Sequence, residues 1–238
     1  MPEDFWEQRT VQLLGEDAVR RLRQARVLVV GLGGVGAAAA EMLCRAGIGS
    51  LTLVDGDQIR PSNINRQLPA LTSTVGEWKT DVVTRRLRDI NPNCRITALR
   101  EFLRDERTTE VLADKYEVVA DAIDTLAPKV YLMAECVRRG MPIVSSMGAG
   151  GKMDPGQIRV ADLKDSCHCK LAAVLRKRLR RLGIREGVTV VFSTEAVPKS
   201  AVLPVQEQNK KSTLGTISYI PTVFGCQMAS VIVRRLML

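Results

Sequence analysis

Six residues from Gly31 to Gly36, GLGGVG, carry the spacing G-x-G-x-x-G. Where such a run joins a strand to a helix, glycine lets the backbone approach a phosphate, and the first N–H groups of the helix face the anion. Roughly twenty residues on, Asp55 ends the apolar run SLTLVD, the place where an acidic side chain reads ribose hydroxyls. The stretch DGDQIRPSNINRQL, Asp55 to Leu68, then holds Asp57, Asn63 and Arg66 among few apolar residues; Lys79 follows in EWKTD and Asp124 in DAIDT. A dinucleotide dehydrogenase shares the glycine loop and the acidic residue, but its pyrophosphate needs little further positive charge. A triphosphate under nucleophilic attack needs cations around the charge that develops. Arg66 and Lys79 would supply them, and the Asp124 carboxylate could hold magnesium. Each also has a plain structural reading: Arg66 as a surface residue, Lys79 on the solvated face of an amphipathic helix, and Asp124 as N-cap of a helix beginning near Leu126.

These residues need a frame that brings them together. RVLVVG at 26–31 reads as a buried strand and GGVGAAAAEMLCRAGI as the helix after it. The alternation continues with a strand at 50–55, a helix at 77–90, strands at 95–99 and 117–124, a helix at 126–140 and a strand at 142–146. Strands alternating with helices predict a doubly wound, mainly parallel α/β sheet covered on both faces. Its ligands bind at the carboxyl ends of the strands, where the glycine turn, Asp55 and Asp124 all fall. After residue 148 the rhythm changes. GAGGKMDPG reads as a loop, QIRVADL and VTVVFSTE as strands, and KLAAVLRKRLRRLGI as a basic amphipathic helix. Residues 194–216, with Pro198 and Pro204, predict a mobile crossing loop or lid, and FGCQMASVIVRRLML a helix returning to the sheet.

Composition narrows the function. The 238 residues fit one large domain, and 45% hydrophobic with 26% charged residues is ordinary for a soluble globular chain. No segment has the length of a signal peptide core or a membrane span, which leads us to expect a cytoplasmic enzyme. Six cysteines without a C-x-x-C pair disfavour a disulfide framework and a four-cysteine zinc site. Cys167, His168 and Cys169 are adjacent and would chelate one tetrahedral ion awkwardly, so no structural zinc is expected, and Cys169 is assigned to packing at the start of the next helix. The formal net charge of +9 suits a polyanionic partner. On the basic helix, Leu171, Leu175, Leu179 and Leu182 share a face. Lys170, Arg176, Lys177, Arg180 and Arg181 lie opposite or nearby, either as a solvated surface or as a clamp on a nucleic-acid backbone.

Taken together, GLGGVG, the DGD-to-NINRQ spacing, the lysine in the next helix and DAID before a helix resemble the ubiquitin-activating-enzyme superfamily of ThiF type. Its members activate a carboxylate with ATP and magnesium. RTVQLLG at 9–15, INPNCRIT at 90–97, GAGGKMDPGQIRVADL at 148–163, the basic helix and VFSTE at 191–195 look most like the tRNA threonylcarbamoyladenosine dehydratases. The resemblance implies ATP activation of the threonine carboxylate of a modified adenosine beside the tRNA anticodon. Attack by the substrate's own ureido nitrogen then closes a hydantoin-type ring with net loss of water. It implies phosphate binding by Gly31, Gly33, Gly34 and Gly36, ribose binding at Asp55 beside Asp57, triphosphate binding by Asn63, Arg66 and Lys79, and magnesium at Asp124. Arg9 matches an arginine that relatives offer to the partner subunit's ATP, which implies a homodimer. One domain is expected, with a helical arm at 1–25, an ATP-binding core at 26–147 and a substrate portion with a lid at 148–238. The alternative is an adenylyltransferase acting on a ubiquitin-like sulfur carrier. The absence of paired C-x-x-C motifs disfavours it. The cysteine that some dehydratases carry near 211–216 is replaced here by KSTLGT, and intramolecular attack requires no such nucleophile.

Overall fold

The computed structural model describes residues 5–207 and 210–238, without the side chains of residue 5 and of 203–213. Two helices, α1 (Gln8–Leu14) and α2 (Glu16–Gln24), lead into β1 (Arg26–Val30), α3 (Gly34–Arg45) and β2 (Ser50–Val54). The chain continues through α4 (Lys79–Ile90), β3 (Arg95–Leu99), α5 (Asp105–Val111), β4 (Val118–Asp121), α6 (Leu126–Arg138) and β5 (Ile143–Ser146). It closes with β6 (Ile158–Asp162), α7 (Lys170–Arg181), β7 (Thr189–Ser193), the ribbon β8 (Val202–Glu207) and β9 (Lys210–Leu214), and α8 (Tyr219–Leu236).

The seven-stranded sheet has the order β3-β2-β1-β4-β5-β7-β6. All neighbours are parallel except β6, which runs antiparallel to β7. The order reverses between β1 and β4, where Val30 pairs with Asp121, and a crevice opens at the carboxyl ends of these two strands. Successive residues of β1 face opposite layers. Val27 and Val29 join the core formed with α3, α4 and α8, while Leu28 and Val30 join the one formed with α5, α6 and α7. The buried run Ala37–Ala40 keeps α3 slim, so α8 packs directly on it. A side chain at Gly225 would overlap Val35 and Ala39 of α3.

Three sequence expectations shift. The segment 194–216 is not a structureless crossing, because β8 and β9 pair antiparallel within it. Pro204 read as a breaker, but a two-stranded ribbon tolerates proline at an edge or irregularity, and the register slips between Pro204 and Glu207. Helix α8 starts at Tyr219, five residues before the expected start at Phe224, because Pro221 sits in the first turn, where no intrahelical N–H is required. The apolar stripe of α7 stops at Leu179. Arg181 ends the helix, Gly183 turns with φ +81°, and Ile184 bonds back to the Leu179 carbonyl at 3.0 Å, so Ile184 is buried and Leu182 faces solvent.

Candidate functional site

The glycines divide by task. Gly31 has φ +89°, and a Cβ there would lie 2.7 Å from the Ala122 carbonyl oxygen; at Gly34 it would lie 2.7 Å from the Arg66 carbonyl oxygen and 2.8 Å from Pro221. At Gly36 it would overlap Gly31 itself. These three let the loop close on its neighbours. Gly33 differs: the nearest atom to a Cβ there is Gln67 Nε2 at 3.9 Å, so this residue borders open space. It is also the N-cap of α3, which has no side-chain cap, and the unsatisfied N–H groups of the first turn point into that space.

Asp55 fastens the loop to β2. Its Oδ2 accepts the Leu32 amide at 2.6 Å and its Oδ1 the Asp57 amide at 2.8 Å. Lys79, buried at the start of α4, reaches back to Asp57 at 2.8 Å and lies 3.9 Å from Asp55. Burial pushes the Asp55 carboxyl up from its ordinary value, against the pull of Lys79 and the two amides. A carboxylate has about four acceptor positions, so two amides leave room for a ribose hydroxyl. Lys79 thus sits on the inner side of its helix, not the solvated face that an amphipathic reading allows.

The segment after Asp57 folds over the same crevice. Asn63 is buried, and its Oδ1 accepts the Arg60 amide at 3.0 Å, closing the turn that carries Arg66. Arg66 Nη1 donates to the Ser62 carbonyl at 2.8 Å and to Asn65 Oδ1 at 2.7 Å. Asn65 Nδ2 reaches the Thr216 carbonyl at 2.9 Å, tying this turn to the chain that follows β9. Asp124 is exposed just past the end of β4, and Thr125 is the N-cap of α6, so Asp124 is not that helix's cap.

Other assigned residues lie elsewhere. Arg9 is exposed on α1. Its neighbour Glu7 is buried, bonded to Arg23 and packed against Gly47 at the amino end of β2. The glycine loop lies at the other end of α3, a length of about 18 Å for its twelve residues, so Arg9 is far from its own chain's crevice. Lys170, Lys177, Arg180 and Arg181 are exposed on α7. Arg176 has a structural task, because its Nη1 donates to the Ser166 carbonyl at 2.7 Å and the Leu163 carbonyl at 3.2 Å. Cys169 is the N-cap of α7 and packs on the core beneath it, while His168 has φ +51°. Among the described residues no three His, Cys, Asp or Glu side chains cluster as a metal cage.

Sequence reasoning passed over three groups. Gln67 is buried beside Gly33, and its Oε1 has no hydrogen-bond partner among the described residues. Asp121 and Lys129 form a fully buried ion pair at 2.9 Å. Glu195 accepts the amides of Met153 and Asp154, each at 2.9 Å, and buried Lys152 donates to the Glu195 carbonyl, which clasps GAGGKM to the end of VFSTE. A charge inside an apolar strand was the available signal for Asp121, since a buried carboxylate must be paired.

A glycine turn at the switch point, an acidic second strand end and a lysine facing it define the class: a Rossmann-like nucleotide-binding enzyme. The sequence matches the ThiF family over residues 6–237. It is 39% identical to the tRNA threonylcarbamoyladenosine dehydratase of Escherichia coli K12, covering 98% of this chain and 95% of that protein. It is 43% identical to the Bacillus subtilis strain 168 dehydratase of the same name, covering 77% and 72%. The crystal structure of the E. coli dehydratase in complex with ATP superposes with a TM-score of 0.90 at 38% identity, over 100% of this chain and 97% of that one. The chain belongs to the ThiF family and, within it, to the tRNA threonylcarbamoyladenosine dehydratases.

Proposed function

We propose that the protein uses ATP to dehydrate threonylcarbamoyladenosine next to the tRNA anticodon, closing it to the cyclic hydantoin-type form. What supports this is that Asp55 ties down the Leu32 amide with Lys79 3.9 Å away, and that Gln67 and the Arg66 carbonyl border Gly33 and Gly34, on a fold that follows the ATP-bound E. coli dehydratase over 97% of its length. The first-turn amides of α3 hold phosphate oxygens, Asp55 with Asp57 beside it takes the ribose, and Asn63 keeps the Arg66 turn closed. Arg66 and Lys79 spread the charge that grows as the substrate's threonine carboxylate attacks a phosphate; once joined to phosphate, the carboxylate oxygen becomes a competent leaving group. The first step expels the remaining part of ATP; the substrate's ureido nitrogen then attacks the activated carbon and loses its proton as the C–O bond breaks, the former carboxylate oxygen leaving on the phosphate.

Asp124, exposed just past the end of β4, would hold magnesium, a hard cation commonly bound by one or two carboxylates together with substrate phosphates and water. When bound it neutralises phosphate charge. Arg9 completes the site of a partner subunit, so the working unit is a homodimer, and its distance from its own crevice supports that reading. Residues 26–147 handle ATP, residues 148–238 receive the modified nucleoside, and 1–25 serve as the arm between subunits. Lys170, Lys177, Arg180 and Arg181 meet the tRNA backbone. No helix among the described residues is long and apolar enough to cross a membrane. The tRNA substrate proposed above is what supports placing the reaction in the cytoplasm.

Mass spectrometry of nucleosides from threonylcarbamoyl-modified tRNA, incubated with the protein, ATP and magnesium, tests the proposal. An ATP-dependent loss of one water, absent with Arg66→Ala, is expected. Unchanged nucleoside mass, with folded protein that binds ATP, rejects it in favour of activating a carrier-protein carboxylate.

A further inference from the structure

The end of β4 holds a knot of buried polar groups that the reaction above does not use. Asp121 and Lys129 are both 0% exposed, and Lys129 Nζ lies 2.9 Å from Asp121 Oδ2. Ser145 of the neighbouring β5 donates to Asp121 Oδ2 at 2.6 Å. The other oxygen, Oδ1, accepts the Ile123 amide at 3.0 Å, while Lys129 Nζ donates to the Ile123 carbonyl at 3.0 Å. Ile123 is therefore gripped at both its N–H and its C=O, one residue before Asp124. On the other side, the Ala122 amide donates to the Val30 carbonyl at 2.8 Å, and the Ala122 carbonyl fills the place of a side chain at Gly31. These backbone contacts, separate from the side-chain cluster, set the end of β4 against the glycine loop.

Stability alone is a poor reason for such a pair. Taking two charges out of water costs several kcal/mol per ion, roughly what their attraction returns, and apolar replacements of similar volume are often neutral or stabilising. What an apolar pair could not do is bond both polar groups of Ile123 while spanning from β4 to α6. A site residue is useful only where its support is fixed by packing and hydrogen bonds.

We propose that Asp121 and Lys129, with Ser145, are positioning residues for the Ala122–Thr125 loop, presenting the Asp124 carboxylate to magnesium–ATP in an already ordered backbone. This rests on the assignment of Asp124 to magnesium. The pair touches no reacting atom and acts only through Ile123.

The double variant Asp121→Asn/Lys129→Leu removes both charges together and strands neither. Hydrogen exchange of the ligand-free protein reads the loop directly. The amides of 122–125 should exchange roughly tenfold faster than in the parent, with those of β1 and β2 unchanged. Calorimetric affinity for magnesium–ATP should fall by a comparable factor while affinity for AMP holds. Unchanged exchange at 122–125 overturns the proposal, as does an equal loss for both nucleotides. Should the double variant not fold, Ser145→Ala keeps both charges and removes one bond; it should speed exchange of the same amides by a smaller factor, and no change again overturns the proposal. Asp124→Asn separates this idea from its premise. If it binds magnesium–ATP like the parent, the magnesium assignment fails and the proposal falls with it. If it loses affinity while the double variant does not, the positioning role alone is wrong.

Discussion

Lys79 stands between two carboxylates, 2.8 Å from half-exposed Asp57 and 3.9 Å from buried Asp55. The shorter contact is the less consequential one, because Asp57 can turn to water and Asp55 cannot. Lys79→Met should therefore act twice. On the function proposed above it removes a cation from the phosphate site, lowering turnover by on the order of 10²-fold or more, and it leaves Asp55 with backbone amides only, at a cost of about 1–3 kcal/mol. Asp57→Asn should change stability by less than about 1 kcal/mol. Urea unfolding and nucleoside mass spectrometry on both variants check the contrast.

The division among the glycines gives a second test. Gly36→Ala drives a methyl into Gly31 of the same loop, which has nowhere to move, and should destabilise the fold by about 3 kcal/mol or more. Gly33→Ala meets open space and should leave the unfolding midpoint almost unchanged. If the first turn of α3 holds phosphate as proposed, its methyl would stand in the way, so ATP affinity measured by calorimetry should fall roughly tenfold or more.

The framework was legible where chain periodicity and backbone chemistry coincide. GLGGVG between an apolar run and an alanine-rich one fixes a strand, a turn and a helix without reference to the rest of the chain, and Asp55 follows at the spacing such units require. What stayed hidden depends on contacts between distant segments. Gln67 becomes notable only when Gly33 lies beside it, and Glu195 only when Met153 and Asp154 offer their amides across the sheet end. Arg176 looked like its basic neighbours, because helical spacing shows which side a residue is on and not what loop comes to meet it. Pro204 misled for a related reason: proline forbids a hydrogen bond, and a ribbon edge has none to lose.

Arg9 allows a test of subunit geometry. Arg9→Ala and Lys79→Ala should each be inactive as pure samples. Co-refolded in equal amounts, half of the dimers would be mixed and carry one intact site, restoring about a quarter of parental activity. A mixture as inactive as its components would show that Arg9 does not serve a partner's site.

Two carboxylates should move acid stability in opposite directions. Asp55 has a folded-state pKa raised by burial, so its contribution is fully present below the ordinary value of about 3.9 and is lost as pH rises through the raised one. Asp55→Asn should accordingly gain on the parent as pH climbs from about 4. Burial also pushes Glu41 up, but its bonds to Arg86 and Arg45 outweigh that and hold it below its ordinary value. Its contribution is present above about 4.3 and is lost as pH falls through the lowered value. Glu41→Gln should be less stable than the parent at neutral pH and converge with it in acid. Urea midpoints from pH about 3 to 7 read both trends.

On α7, the side chains that reach solvent and the one that is bound test different things. Lys177 and Arg181 are exposed on the face away from Leu175 and Leu179, so reversing both to glutamate should weaken tRNA binding and spare ATP binding. If each meets one phosphate, the slope of log affinity against log salt should flatten by about 1.4–1.8 for the two lost contacts. Unchanged affinity at moderate salt would remove this helix from the interface. Arg176→Ala should do the reverse. Its guanidinium holds the turn at Leu163–Ser166, so its loss should lower stability by about 1.5–3 kcal/mol while tRNA affinity, measured well below the unfolding midpoint, stays near the parental value. If Arg176→Ala instead flattens the salt slope without destabilising the fold, the basic residues of α7 act as one undivided phosphate-binding surface, and the turn stands without it.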